Sequence, residues 1–310
     1  MISELFTLPV LIGMLTSGIT LATPYLYAAI GETFGQRSGV LNLGVEGQML
    51  LGAFAAFYVT LVSGNLWFGV LAAVAVGALM GLAMAFVTVN LQAQQGVSGI
   101  GFYLFGLGMS DLLFQKLLGK VETIKGFTEV RIPWLSGIPI IGEALFSQSL
   151  LVYGAYLLVP LAWFVLNKTT LGLEIRAVGE NPEAADSLGV SVARVRYFTI
   201  LIGGILSGVA GASLSTALLN VFQQNMTSGL GFIAVALVYF GAWRPWGVLA
   251  GALLFSMVNA LQLWIQVLGI PVPSDIAVMM PYVLTILVLV VSVSRVRAPS
   301  ALTKPFEREE

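Results

Sequence analysis

"GLAMAFVTVNLQAQQGVSGIGF", residues 81–102, lies over "GASLSTALLNVFQQNMTSGLGF", residues 211–232, without a gap at an offset of 130 residues. Gly81 meets Gly211, Asn90 meets Asn220, Gln94 meets Gln224, and "SGIGF" (98–102) meets "SGLGF" (228–232). Each copy closes one apolar run, passes through an amide-rich turn and opens another apolar run. If the copies cross a membrane in opposite senses, the fold contains an inverted repeat, as many alternating-access transporters do. The two SG[IL]GF stretches then open the shorter segment of each half, where a helix N-terminus can face a pathway.

Composition places the chain in a membrane. Of its 310 residues 58% are hydrophobic and 9% charged, with mean hydropathy +0.95; soluble domains carry roughly 45–50% apolar residues. A spanning helix needs about 20 apolar residues. Candidate spans are 8–30, 41–62, 66–92, 97–118, 149–167, 197–220, 229–243, 247–268 and 275–294. The expected fold is thus an all-α polytopic membrane protein of about nine (eight to ten) segments, some broken or short. Segment 229–243 is too short to cross as one regular helix. Segment 41–62 opens "LNLGVEGQ", where Gly44 and Gly47 flank Glu46 and favour an unwound start. The N-terminal run lacks a basic leader and reads as a retained helix.

Lys and Arg set the orientation. Lys168, Arg176, Arg194 and Arg196 in the 168–196 loop, and Arg295, Arg297, Lys304 and Arg308 in the 295–310 tail, place both in the cytoplasm. Counting segments puts Arg37 and Arg244 inside as well, with the N-terminus and the 119–148 connection outside. Segments 66–92 and 197–220 then run in opposite directions, as an inverted repeat requires.

Much chemistry is excluded. Net charge is −1 with scattered cations, which gives nucleic acid nothing to bind. The chain has no Cys and no His, so thiolate chemistry, Cys/His metal sites and the commonest general base are absent. No G-x-x-x-x-G-K-[ST] loop occurs; the Gly119-Lys120 pair runs on into Val121 and Glu122. No enzyme activity, metal or cofactor is expected of this chain.

"GENPEAADSLGV" (179–190) is the polar exception between two greasy runs. Asn181 suits an N-cap, Pro182 the first helical position, and Glu183 the positive end of the helix dipole. Ala184 and Ala185 favour helix with little bulk, and Gly189 suits a stop. The expected product is a cytoplasmic helix of about two turns, either docked in a partner's groove or simply solvated.

"EAADSLG" (183–189) fits the E-A-A-x-x-x-G core of the cytoplasmic coupling loop of ABC-transporter permeases, without the later hydrophobic-Leu-Pro part. "TLGLEIRAVGENPEAADSLGVSVARVR" (170–196) resembles the coupling region of permeases importing simple sugars, nucleosides and branched-chain amino acids. "SGVLNLGVEGQMLLGAF" (38–54) is similar to that family's second-segment signature, closest to its nucleoside-type members. "GGILSGVAGASL" (203–214) and "GLGFIAVALVYFGAWRPWGVLAGALLFSMV" (229–258) resemble its C-terminal half. The resemblance spans roughly residues 20–295.

It implies one transmembrane permease domain over residues 1–310, in a bacterial cytoplasmic membrane. Gly179, Asn181, Pro182, Glu183, Ala184, Ala185 and Gly189 would couple to a separate ATPase subunit that hydrolyses the ATP. A second permease, identical or related, and an extracytoplasmic substrate-binding protein complete the expected partners, with membrane lipid around them. The solute is expected to be a nucleoside, or alternatively a ribose-like sugar.

Pathway candidates come from side chains that are costly in a membrane. Glu46 either orders the unwound backbone beside Asn42 and Gln48 or meets the solute. Asp111 and Lys116 form a near-helical pair, Lys116 can snorkel, and in an ion-coupled secondary transporter Glu46 or Asp111 would be the proton or sodium site. Asn90, Gln92, Gln94 and Gln95 would line the inner end, and Asn220, Gln223, Gln224 and Asn225 the outer. Neutral amides suit an uncharged, hydroxyl-rich or base-bearing solute. Phe102, Tyr103 and Phe232 either stack on it or pack the helices. Asn259, Gln262 and Gln266 form a polar stripe facing the pathway or a second subunit. The small-residue runs Gly203-Gly204, Ser207-Gly208 and Gly211-Ala212 read as helix-packing surfaces.

Overall fold

A computed structural model describes residues 7–138, 141–270, 272–273, 276, 279–283, 286–287, 290 and 297–307. Seven of its helices are long and apolar enough to cross a membrane. They are α1 (Leu8–Arg37), α2 (Val45–Ser63), α3 (Leu66–Ala85), α4 (Gln95–Leu113), α6 (Leu150–Lys168), α9 (Val192–Ser213) and α11 (Pro245–Val267). Three of them, α3, α4 and α9, continue into a π-helical turn at Phe86–Asn90, Phe114–Leu118 and Leu214–Leu218. The expected segment 275–294 falls largely outside the described residues.

α1 is longer than the sequence suggests. It runs through the polar "GETFGQR" to Arg37, about 45 Å at 1.5 Å per residue, against a hydrocarbon core of about 30 Å. Its last turns therefore carry Glu32 and Gln36 inside the protein, both buried. By contrast α10 (Leu230–Phe240) is about 16 Å long. It begins at a left-handed Gly229 (φ +92°), where the chain turns sharply into the helix.

The short segments complete the chain. The 119–148 connection holds α5 (Ile141–Phe146) and an antiparallel ribbon of β1 (Glu129–Arg131) and β2 (Ser147–Ser149), with Glu129 opposite Ser149. At the other end, α7 (Thr170–Glu180) and α8 (Pro182–Ser187) fill the 168–196 loop. Arg37, Arg176, Arg196, Arg244 and the 297–307 segment gather at this basic end, tied by hydrogen bonds. These cations, expected on one side of the membrane, lie together, while Arg295 and Arg308 fall outside the described residues.

α9 is the hub, packed against α1, α2 and α3. A Cβ on Gly204 would stand 2.3 Å from the Gly77 carbonyl, and one on Gly208 would stand 2.2 Å from that of Ala73. Gly211 presses as closely on α2, where a Cβ would lie 1.9 Å from the Met49 carbonyl. Backbones this near gain dispersion contact without the hydrophobic effect, which lipid does not supply. The contacts climb α9 as they descend α3, so the two matched segments are antiparallel. Both end in a π turn followed by an amide residue at positive φ, Gln92 (51°) and Asn220 (56°), an offset of 128 residues, so the structural register lies two residues from the one that pairs Asn90 with Asn220. An inverted repeat has this geometry.

Candidate functional site

The two repeat halves meet at Glu46, which is 1% exposed. Its Oε1 accepts from the Thr227 hydroxyl (2.6 Å) and the Gly229 N–H (2.7 Å), and its Oε2 from the Gly231 N–H (2.6 Å). Residues 219–229 reach this point non-helically, and α10 starts from it with the orphan N–H groups any helix start carries. A carboxylate there satisfies them and suits the positive end of the helix dipole. Gly231 leaves room for it, since a Cβ would sit 2.5 Å from the Glu46 Cα. The backbone Glu46 orders is thus that of the other half, not its own.

The unwound stretch before α2 is equally furnished. Residues 38–44 carry no helix, and α2 starts at Val45 with Gly44 as its cap. The Asn42 N–H donates to Glu32 Oε1 (3.0 Å), Leu41 N–H to Gln95 Oε1 (2.8 Å) and Gly44 N–H to Asn42 Oδ1 (2.9 Å). Asn42 Nδ2 reaches Gln48 Oε1 (3.2 Å), while the Gln48 Nε2, fully buried, has no partner among the described residues. Irregular backbone at membrane depth survives where protein groups satisfy it. Glu32 is central to this and was not singled out from sequence, because the apolar run ends before it. Its Oε1 also accepts from Gln36, whose own Oε1 takes the Trp243 indole N–H (2.7 Å).

Of the aromatic candidates, Tyr103 and Phe232 come together, their rings 5.1 Å apart edge to face. Tyr103 backs onto Gly47, so the pair stands beside Glu46; Phe232 is 37% exposed. Phe102 packs against Gly44. Asn220 is not brought to this cluster. Its carbonyl accepts from Ile124 N–H (3.0 Å) at the connection end, near the exposed Gln223, Gln224 and Asn225. At the basic end Asn90 accepts from the Tyr197 hydroxyl, and Gln92 donates to the Phe306 carbonyl (3.3 Å). Asp111 and Lys116 do not pair: Lys116 is exposed, and Asp111 Oδ1 is buried without a partner among the described residues.

The 179–190 stretch folds as its residues require. The Asn181 Oδ1 caps α8 by accepting from Ala184 N–H (3.0 Å), Pro182 is its first residue, and Gly189 closes it at φ +87°. Ala185 turns inward, so the small face is divided: Glu183, Ala184, Ser187 and Leu188 are presented outward. Leu188, 85% exposed, is the outstanding apolar side chain at this tip. A lone large aliphatic in a polar loop was the available signal for it. Asn181→Ala is expected to cost about 1 kcal/mol of local stability, seen as faster amide exchange at Ala184 and Ala185.

The root of this element is bolted to the rest. Gly179 abuts α1 so closely that a Cβ would lie 2.0 Å from the Arg37 carbonyl. The segment 297–307, expected only as a tail, lies across the basic end as a strap. Ala301 N–H donates to the Gly179 carbonyl (2.9 Å), Thr303 N–H to the Gly39 carbonyl (3.1 Å), and Ser300 to Glu180 Oε2 (3.0 Å). Arg196, 2% exposed, donates to the Ser38 carbonyl (3.3 Å) and the Lys304 carbonyl (3.2 Å). The strap therefore joins α7 to the unwound 38–44 stretch.

Two discontinuous stretches thus meet in a helical membrane domain that carries a capped polar element at one end. Residues 14–289 match the family model described as branched-chain amino acid transport system, permease component. Curated relatives agree along nearly the whole chain. A putative glucose ABC transporter permease protein of Haloferax volcanii is 40% identical, covering 96% of this chain and 98% of its own. A guanosine ABC transporter permease protein of Bacillus subtilis is 37% identical, covering 92% and 93%. A nucleoside ABC transporter permease protein of Lactococcus lactis is 37% identical, covering 90% and 92%. No solved structure matches. The chain belongs to the family of ABC-transporter permease components.

Proposed function

We propose that this permease imports nucleosides across a bacterial cytoplasmic membrane, with its basic end inside, driven by a separate ATPase subunit. The observation that carries the reading is the α7–α8 element: an exposed Leu188 and Glu183 at its tip, a backbone bolt to α1 and the strap at its root. Leu188 fills an apolar pocket of the ATPase, and Glu183 meets its basic side chains. When the ATPases close, α7 carries Gly179 with it. The pull passes through Ala301 and Thr303 to Gly39, and so to the 38–44 stretch that Gln95 and Glu32 hold. The permease then rocks between inward- and outward-open states, working with a second permease subunit and an extracytoplasmic binding protein.

Asn42 is engaged in holding the unwound backbone, and the Gln48 Nε2, without a partner among the described residues, is the neutral donor left to meet the solute without fixing a charge. Tyr103 and Phe232 give a nucleobase a face to stack on, and the guanosine and nucleoside relatives favour that solute. A simple sugar is the second reading, favoured by the glucose relative. The test is the ATPase activity of the complex reconstituted in liposomes, comparing wild type with Leu188→Asp and with Glu183→Arg plus Gly189→Trp. Burying a leucine contributes about 1.5–3 kcal/mol, so Leu188→Asp should lower coupling at least about tenfold with the permease still folded. Unchanged ATP-driven uptake in both variants would remove the docking role. Uptake of labelled guanosine resisted by excess glucose, or the reverse, decides the solute.

A further inference from the structure

A cavity of about 840 Å³ opens at the basic end between α6, the α10–α11 turn and the end of α1. Its size is within the range of sites for small organic ligands. Its walls include Arg37, Trp163, Asn167, Trp243, Arg244 and Trp246. We propose that this cavity holds the phosphate of an anionic glycerophospholipid from the leaflet on the basic side. The inference is independent of the solute and of the ATPase docking.

Charge is the first argument. Arg37 donates its Nε to the Trp243 carbonyl (2.9 Å), which fixes the guanidinium against the cavity wall. Arg176 and Arg244 are the cations acting on it and Glu180 the carboxylate, so positive charge is in excess. Lys168 adds a further cation, its ammonium 5.8 Å from the centre of the Trp163 ring. Among the described residues, no carboxylate is in ion-pair contact with Arg37, Arg244 or Lys168. A planar guanidinium fork suits a phosphate, and basic pockets between membrane helices suit lipid headgroups.

Position is the second. Trp163 and Trp246 share the wall with the buried Trp243, and exposed tryptophans such as these two collect where headgroups begin. Trp163 and the half-exposed Trp246 stand on helices whose outer faces carry exposed Leu157, Leu161 and Phe164 on α6 and Leu254 on α11. A phosphate seated between the arginines can lay its acyl chains along these faces. A soluble phosphate compound shares the headgroup chemistry but has nothing to place there.

Native mass spectrometry of the full-length permease tests the proposal, with phosphatidylglycerol, phosphatidylcholine of the same chains, and glycerol 3-phosphate as ligands. Phosphatidylglycerol should be retained in preference to phosphatidylcholine, and glycerol 3-phosphate should not displace it. Arg244→Ala should weaken retention roughly fivefold, and Arg244→Ala with Trp246→Ala more than about tenfold, while Arg244→Lys keeps part of it. Both side chains are exposed, and unchanged thermal unfolding of the lipid-free variants establishes that they fold. Equal retention of the two lipids, equal retention by the double variant, or displacement by glycerol 3-phosphate would each overturn it.

Discussion

Glu46→Ala is expected to destabilise the permease by about 3–5 kcal/mol. The substitution strands the Thr227 hydroxyl and the Gly229 and Gly231 N–H groups, and each buried group left unpaired costs about 1–3 kcal/mol. The N-terminus of α10 should loosen first. Because the chain has no cysteine, a single Ser228→Cys reports on it directly: maleimide labelling should accelerate in the Glu46→Ala background. Glu46→Gln keeps one acceptor and should fall between the two. Wild-type stability in Glu46→Ala together with abolished uptake would mean that Glu46 acts on the solute instead of on α10.

Gly204→Val should be still less tolerable. The new Cβ would lie 2.3 Å from the Gly77 carbonyl and 2.8 Å from the Gly81 Cα, and backbone on both sides cannot turn away as a side chain can. Overpacking usually costs about 1–3 kcal/mol where side chains can adjust; at this crossing the cost is expected to exceed about 3 kcal/mol. The matched control is Gly101→Val on α4, where a Cβ meets nothing within 4 Å. Thermal unfolding in detergent should separate the two variants clearly. Similar midpoints for both would mean that α3 and α9 do not cross at these glycines.

The contrast between these sites explains what could be read from the sequence. Local chemistry was legible: Asn181, Pro182 and Gly189 bound α8 because capping and left-handed turns depend on neighbours within a few residues. The unwound start of α2 and the shortness of α10 followed from glycines and run length. Side-chain partners were not legible, since Glu46 reaches residues in the other half and Arg196 reaches Ser38 and Lys304. Glu32 escaped notice because a hydropathy boundary is not a helix boundary. The 297–307 strap looked like a tail because, Ser300 apart, the groups it bonds with are its own backbone N–H and carbonyl groups, which residue types do not encode.

The distance in sequence between Glu46 and its partners also bears on how the protein is made. The N–H groups it caps belong to residues 183 and 185 positions further along the chain. At about 5–20 residues per second, translation takes roughly 10–40 s to cover that interval. For that time the first half of the permease holds, within its membrane portion, a carboxylate whose final partners do not yet exist. A nascent chain stalled between α4 and α9 would hold this acid without the N–H groups it caps in the finished fold.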